Sequence, residues 1–129
     1  MKLGVLLRIA AIYVALVGLG LIFAPQAFGV GAVPADASAA LIAFLRLWGS
    51  PLLGIAVLDW MARDAEPSRA RDAIILGNTV GFAAIAAVDV WGSFSGGRPV
   101  TKVFAIVHLL FAAAFFWAGR RSLSSRTEP

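Results

Sequence analysis

Three ionisable side chains stand inside stretches that are otherwise apolar: Arg46, Asp89 and His108. A charge near the centre of a spanning helix costs about 2.5–3.5 kcal/mol on insertion scales, so such groups normally face a partner. At the helical rise per residue, Arg46 lies roughly 10 Å below the outer end of its segment. By the same measure Asp89 lies about 8 Å and His108 about 12 Å below theirs. The three therefore form one layer in the outer leaflet, with an Arg46–Asp89 ion pair expected and His108 nearby. Such a layer could relay a proton or bind a small solute. As a permanent ion pair it would only set the register of the helices. His108 is the only histidine. It is the only plausible axial ligand for a haem or chlorophyll, and bis-histidine ligation would need a second subunit. The plainer reading is a satisfied or water-facing core histidine, and Phe104, Phe111, Phe115, Phe116 and Trp117 around the fourth span read as core and lipid-facing surface rather than a pigment pocket. No cofactor and no metal site is expected.

A second polar layer is expected toward the opposite side, from Arg8, Asp59 and Asn78. Arg8 stands about five residues into the first apolar segment and Asp59 about two from the end of the second, so their depths match. Each has a plainer explanation. Arg8 can snorkel to the headgroups, and Asp59 precedes Arg63 by one helical turn, an ordinary i,i+4 pair. Asn78 and Asp89 are eleven residues apart, about 20° from eclipsed, with Phe82 and Ile85 between them on one stripe.

The elements that position these groups follow from composition. The chain has 129 residues, 60% hydrophobic and 14% charged, with a mean hydropathy of +0.89. Soluble domains carry about 25% charged residues, so disordered, nucleic-acid-binding and ordinary cytosolic classes are excluded. The absence of cysteine excludes disulfides and thiol redox chemistry. Four segments approach the roughly 20 apolar residues that a span requires: 3–23, 39–61, 73–94 and 100–119. They leave no room for a separate soluble domain, and the expected fold is an all-α, antiparallel bundle of four transmembrane helices. Pro25 with Gly29-Val30-Gly31 ends the first helix, and Pro34, Asp36 and Ser38 set up the second. Residues 63–69 form a polar turn, and Ser95-Gly96-Gly97-Arg98-Pro99 a tight hairpin. The first segment reads as a retained span. Its apolar run exceeds that of a signal peptide, Arg8 interrupts it, and no A-x-A site follows.

Lys2, Arg8, Arg63, Arg69, Arg71, Arg120, Arg121 and Arg126 fall on one side of these spans, against Arg98 and Lys102 on the other. The positive-inside rule then places both termini in the cytoplasm. The C-terminal arginines could also touch anionic headgroups. On the first helix Arg8, Ala11, Ala15 and Gly18 share a face small enough for close backbone approach. Gly77-x-x-x-Gly81 is a small-residue motif of the same kind, serving either an interface or packing within the chain. Pro51 should kink the second helix, either opening a small cavity or fitting the bundle.

The runs Gly18-Leu19-Gly20-Leu21-Ile22-Phe23-Ala24-Pro25, Arg46-Leu47-Trp48-Gly49-Ser50-Pro51-Leu52-Leu53-Gly54 and Gly96-Gly97-Arg98-Pro99 carry a likeness that extends over nearly the whole chain. In these the sequence resembles small four-helix bacterial inner-membrane proteins of the DoxX-like group. The resemblance implies that fold and that membrane, and no catalytic residue. No motif for hydrolysis, phosphate binding or metal-assisted catalysis occurs. The leading expectation is a non-enzymatic accessory or scaffolding subunit, in a homo-oligomer or larger membrane complex, with the lipid bilayer as its surroundings. The alternatives are a proton-coupled or small-solute transporter using Arg46, Asp89 and His108, and a subunit that binds a pigment, haem or quinone.

Overall fold

A computed structural model describes residues 2–124, and Arg126 lies outside them. Of the described residues 82% are helical and none is in a strand. Its helices are α1 (Leu3–Phe23), α2 (Pro25–Phe28), α3 (Ala39–Ala62), α4 (Arg69–Phe94) and α5 (Pro99–Ser124). Four of these, all but α2, are long and apolar enough to cross a membrane. At 21 residues, α1 is about 32 Å long, against a hydrocarbon thickness of about 30 Å.

The chain divides into two compact units, Met1–Arg63 and Asp64–Pro129. In the first, α1 packs against α3. Pro25 does more than end α1: it opens the separate turn α2, whose first position suits its fixed φ and missing N–H. Gly31 then takes a φ of 78°, which a residue with a side chain would resist. Ser38 caps α3, its hydroxyl accepting from the Leu41 N–H at 3.2 Å. Pro51 lies inside α3, which continues on either side of it. One residue earlier, the Ser50 hydroxyl donates to the Arg46 carbonyl at 3.3 Å, beside the Leu47 carbonyl that Pro51 cannot serve.

The approach of α1 to α3 is set by glycines. A Cβ on Gly18 would stand 2.9 Å from the Gly49 carbonyl oxygen, and one on Gly49 would stand 2.6 Å from that of Gly18. Gly4 likewise lies against the Arg63 carbonyl. The expected small face is present but rotated. Leu7, Ala11, Val14 and Gly18 are buried, whereas Arg8 is exposed and Ala15 only half-buried. Position 7 rather than 8 falls on the stripe through 11, 14 and 18, since each step turns the helix by about 100°.

In the second unit α4 packs against α5 across the turn at residues 95–98, as the Gly-Gly-Arg-Pro run suggests. Gly96 has a φ of 81°, and a Cβ on Gly97 would strike the Gly92 carbonyl. The fourth helix begins four residues before the apolar window. Ser68 caps it by accepting from the Arg71 N–H at 3.2 Å, and Asp72 favours the positive end of the helix dipole. The buried stripe of α4 is Ile75, Asn78, Phe82 and Ala86. Ile85, expected on that stripe, is exposed, because its direction lies about 80° from Ile75.

Six alanines, Ala10, Ala11, Ala56, Ala62, Ala86 and Ala105, are buried beside a few large residues such as Leu7 and Phe115, while many large apolar residues are exposed. Trp91 is 76% and Phe94 88% exposed. Full exposure of such a side chain to water forgoes about 1.5–3 kcal/mol each. Small residues between helices and large apolar ones outside suit hydrocarbon as the solvent.

Candidate functional site

The site is built on the two helices of the second unit. Asp89 stands between the hydrophobic positions Val88 and Val90 on α4, one turn before Ser93, whose hydroxyl donates to the Asp89 carbonyl at 2.8 Å. His108 lies on α5 in a row with Phe104, Phe111 and Phe115, spaced by four, three and four residues. That spacing holds all four on one face. The antiparallel packing brings His108 Nδ1 to 2.6 Å from Asp89 Oδ2, with side-chain exposures of 10% and 19%.

Aromatic rings enclose the imidazole. Phe104 stacks on it at 6.1 Å between centroids and Phe82 lies tilted over it at 5.9 Å. Phe82 stacks in turn on Phe111 at 4.6 Å and on Phe115 at 5.9 Å. Phe82 is itself buried. The rings continue apolar surface from His108 toward Phe115, so water does not screen the pair from that side.

An oxygen and a nitrogen 2.6 Å apart, each with a lone pair aimed at the other, repel unless a proton lies between them. The pair therefore holds at least one proton. With neutral imidazole donating to carboxylate its net charge is −1. A further proton makes it neutral, as imidazolium with carboxylate or as imidazole with carboxylic acid. Because Nδ1 is committed to Asp89, an incoming proton or ligand would engage Nε2 of His108.

The carboxylate that the sequence pairs with Arg46 is thus held by His108. Arg46 belongs to the first unit, where it is exposed on α3. The second layer is partly assembled within that unit. Gly4 facing Arg63 and Gly18 facing Gly49 set Arg8 of α1 at the level of Asp59 on α3. Asp59 is fully buried, although Arg8 is exposed. Arg63 lies with its guanidinium 4.5 Å from the centre of the Trp60 ring and donates to the Trp60 carbonyl. Asn78 lies in the second unit, and its side-chain amide donates to the Ile74 carbonyl at 3.1 Å. The adjacent Thr79 hydroxyl does the same to Ile75 at 2.8 Å. Both donors are satisfied by their own helix, a common solution where solvent is apolar.

Two features went beyond the sequence reading. Phe82 as the ring that links His108 to Phe111 and Phe115 was legible only as a neighbour of Asp89 on its stripe. The spacing of 104, 108, 111 and 115 could have revealed the aromatic row as the surroundings of His108. The direct Asp89–His108 contact had no signal beyond similar depth.

No family model, curated protein or solved structure matches this chain. Functional assignment stands on its own residues.

Proposed function

We propose that this chain is a multi-pass membrane protein that exchanges protons at the Asp89–His108 pair and couples them to movement of a small solute. The observation that carries this reading is the 2.6 Å contact between an acid and an imidazole inside apolar spans. Ionisable residues at such positions are costly, and acid–histidine pairs there serve as proton relays in pumps and transporters. The distribution of Lys and Arg supports cytoplasmic termini and a site in the outer leaflet. The likeness to DoxX-like proteins supports a four-helix bacterial inner-membrane protein and assigns no residue of the site. Arg46 enters the proposal on the sequence alone, from its expected depth in the same leaflet.

Purified protein in liposomes carrying a pH-sensitive dye tests it. An imposed pH gradient should dissipate faster than in empty liposomes. Asp89→Asn should return the rate to that of empty liposomes, because an amide accepts no proton at neutral pH. Arg46→Gln should slow dissipation without abolishing it. Unchanged dissipation in Asp89→Asn would refute proton exchange at this pair.

A second reading, assembly as an accessory or scaffolding subunit, is favoured by one observation. A Cβ added at Gly77 or Gly81 would meet nothing within 4 Å, so Gly77-x-x-x-Gly81 is an open small-residue seam on α4. Chemical cross-linking in native membranes should then trap a dimer or larger complex, and Gly81→Leu should lower its yield several-fold. Equal yields from both proteins would dispose of this reading.

A further inference from the structure

At the other end of the second unit, α4 and α5 part to leave an apolar groove of about 350 Å³. Its floor is Ile75 and Phe115, both buried, and its walls include Leu76 and Phe116, both exposed. Gly119 lines it too, and a Cβ there would crowd Ile75 Cγ2 at 3.2 Å. The groove runs from Asp72 and Arg120 at its mouth to Thr79 and Phe115, seven residues along α4, or about 10 Å. Its length thus follows the helix axes, from charged residues at the end of the spans into their apolar part.

The mouth holds one guanidinium and one carboxylate, those of Arg120 and Asp72. Arg120 is exposed, with its guanidinium carbon 5.9 Å from the Phe116 and 5.8 Å from the Trp117 ring centroid. Arg121 follows it, and Arg69 and Arg71 stand beside Asp72 at the start of α4. With Asp64, Glu66 and Asp72 against these four arginines, this end of the unit carries a small excess of positive charge. The Thr79 hydroxyl, the polar group deepest in the groove, is already used by the Ile75 carbonyl. The interior thus offers an occupant only hydrocarbon contact, and the mouth offers it the exposed guanidinium of Arg120.

We propose that this groove binds one anionic phospholipid, with an acyl chain lying between α4 and α5 along Ile75, Phe115 and Gly119, and its phosphate on Arg120. A guanidinium forks onto phosphate oxygens in a way that a bare ammonium does not. Basic pockets between helices at this membrane face bind anionic headgroups by the same chemistry. The groove accounts for a glycine at position 119 and for an arginine one residue later, neither of which the proton site uses. Binding here is independent of proton exchange at Asp89.

Native mass spectrometry of the full-length protein in mild detergent tests the proposal, with dioleoyl phosphatidylglycerol and dioleoyl phosphatidylcholine added in equal amounts. One retained phosphatidylglycerol is expected, preferred about fivefold, the effect of roughly one well-placed charge. Arg120→Gln, at an exposed site that leaves the fold intact, should bring the preference close to one. Gly119→Leu should reduce retention of either lipid several-fold by filling the groove, and Gly119→Ala should do so less. Circular dichroism of each variant verifies its helix content. Equal retention of the two lipids by the unmodified protein would overturn the proposal, leaving only an exchanging lipid annulus. Retention that is unaffected by both Arg120→Gln and Gly119→Leu would overturn it too. So would loss of a dimer in Gly119→Leu with lipid retention unchanged, which would make a second copy the occupant.

Discussion

Asp89→Ala is expected to destabilise the protein by about 1–3 kcal/mol, measured by reversible unfolding in mixed detergent micelles. The loss has a specific origin. His108 Nδ1 would keep its position among Phe82 and Phe104 but lose the oxygen at 2.6 Å. A buried polar group left without its partner costs more than the hydrogen bond contributed. If that is the cause, removing both polar groups together should repair most of the damage. Asp89→Leu combined with His108→Phe should lie within about 1 kcal/mol of the unmodified protein, since buried ionic pairs are often replaceable by apolar ones. Phenylalanine at 108 would keep the ring stack with Phe104 and Phe82. The same double variant should dissipate a pH gradient no faster than empty liposomes. Stability restored with exchange lost would separate what the pair does from how the helices pack. A double variant less stable than either single one would instead make the pair a net contributor to folding, and it would remove the reason for regarding it as costly.

Gly49→Val should cost more than about 2 kcal/mol in the same unfolding experiment, near the upper part of the usual range for overpacking. The new Cβ would lie 2.6 Å from the Gly18 carbonyl oxygen and 2.8 Å from Ile22 Cγ1. A side chain can rotate away, but a carbonyl in the middle of α1 moves only with its helix. The two helices would therefore have to separate, and the contacts of Ala11, Val14 and Gly18 would loosen with them. Gly54→Ala on the same helix is the control. A Cβ there meets nothing within 4 Å, and alanine is the better helix former by about 1 kcal/mol. That variant should be neutral or slightly stabilising. Similar effects at positions 49 and 54 would show that helix propensity, not the approach of α1 to α3, governs both sites.

How far the site could be read beforehand differs residue by residue. Asp89 and His108 were identifiable because a charge in an apolar run is conspicuous in one dimension, and the helical rise converts sequence position into depth. The match of Arg8 with Asp59 was legible for the same reason, and the register of Gly4 with Arg63 and Gly18 with Gly49 is consistent with it. Direction around the helix was harder. A displacement of one residue turns a side chain by about 100°, enough to move Arg8 off the buried stripe of α1 and Ile85 off that of α4. Sequence spacing carries no reference point for that rotation. It comes from the neighbouring helix.

The amino-acid sequence alone determined that four stretches are long and apolar enough to span a bilayer, where the breaks between them fall, and how far along its helix each polar group stands. These follow from composition, the fixed rise of the helix and the backbone chemistry of proline and glycine, all of which are local. Tertiary structure decided that His108 holds the carboxylate of Asp89, that Phe82 joins it to a row of rings, and that Gly18 and Gly49 are closed by backbone while Gly77 and Gly81 stay open. Each of these depends on which helix lies beside which and how both are rotated. That choice is made by packing between residues distant in the chain, and no short stretch of sequence contains it.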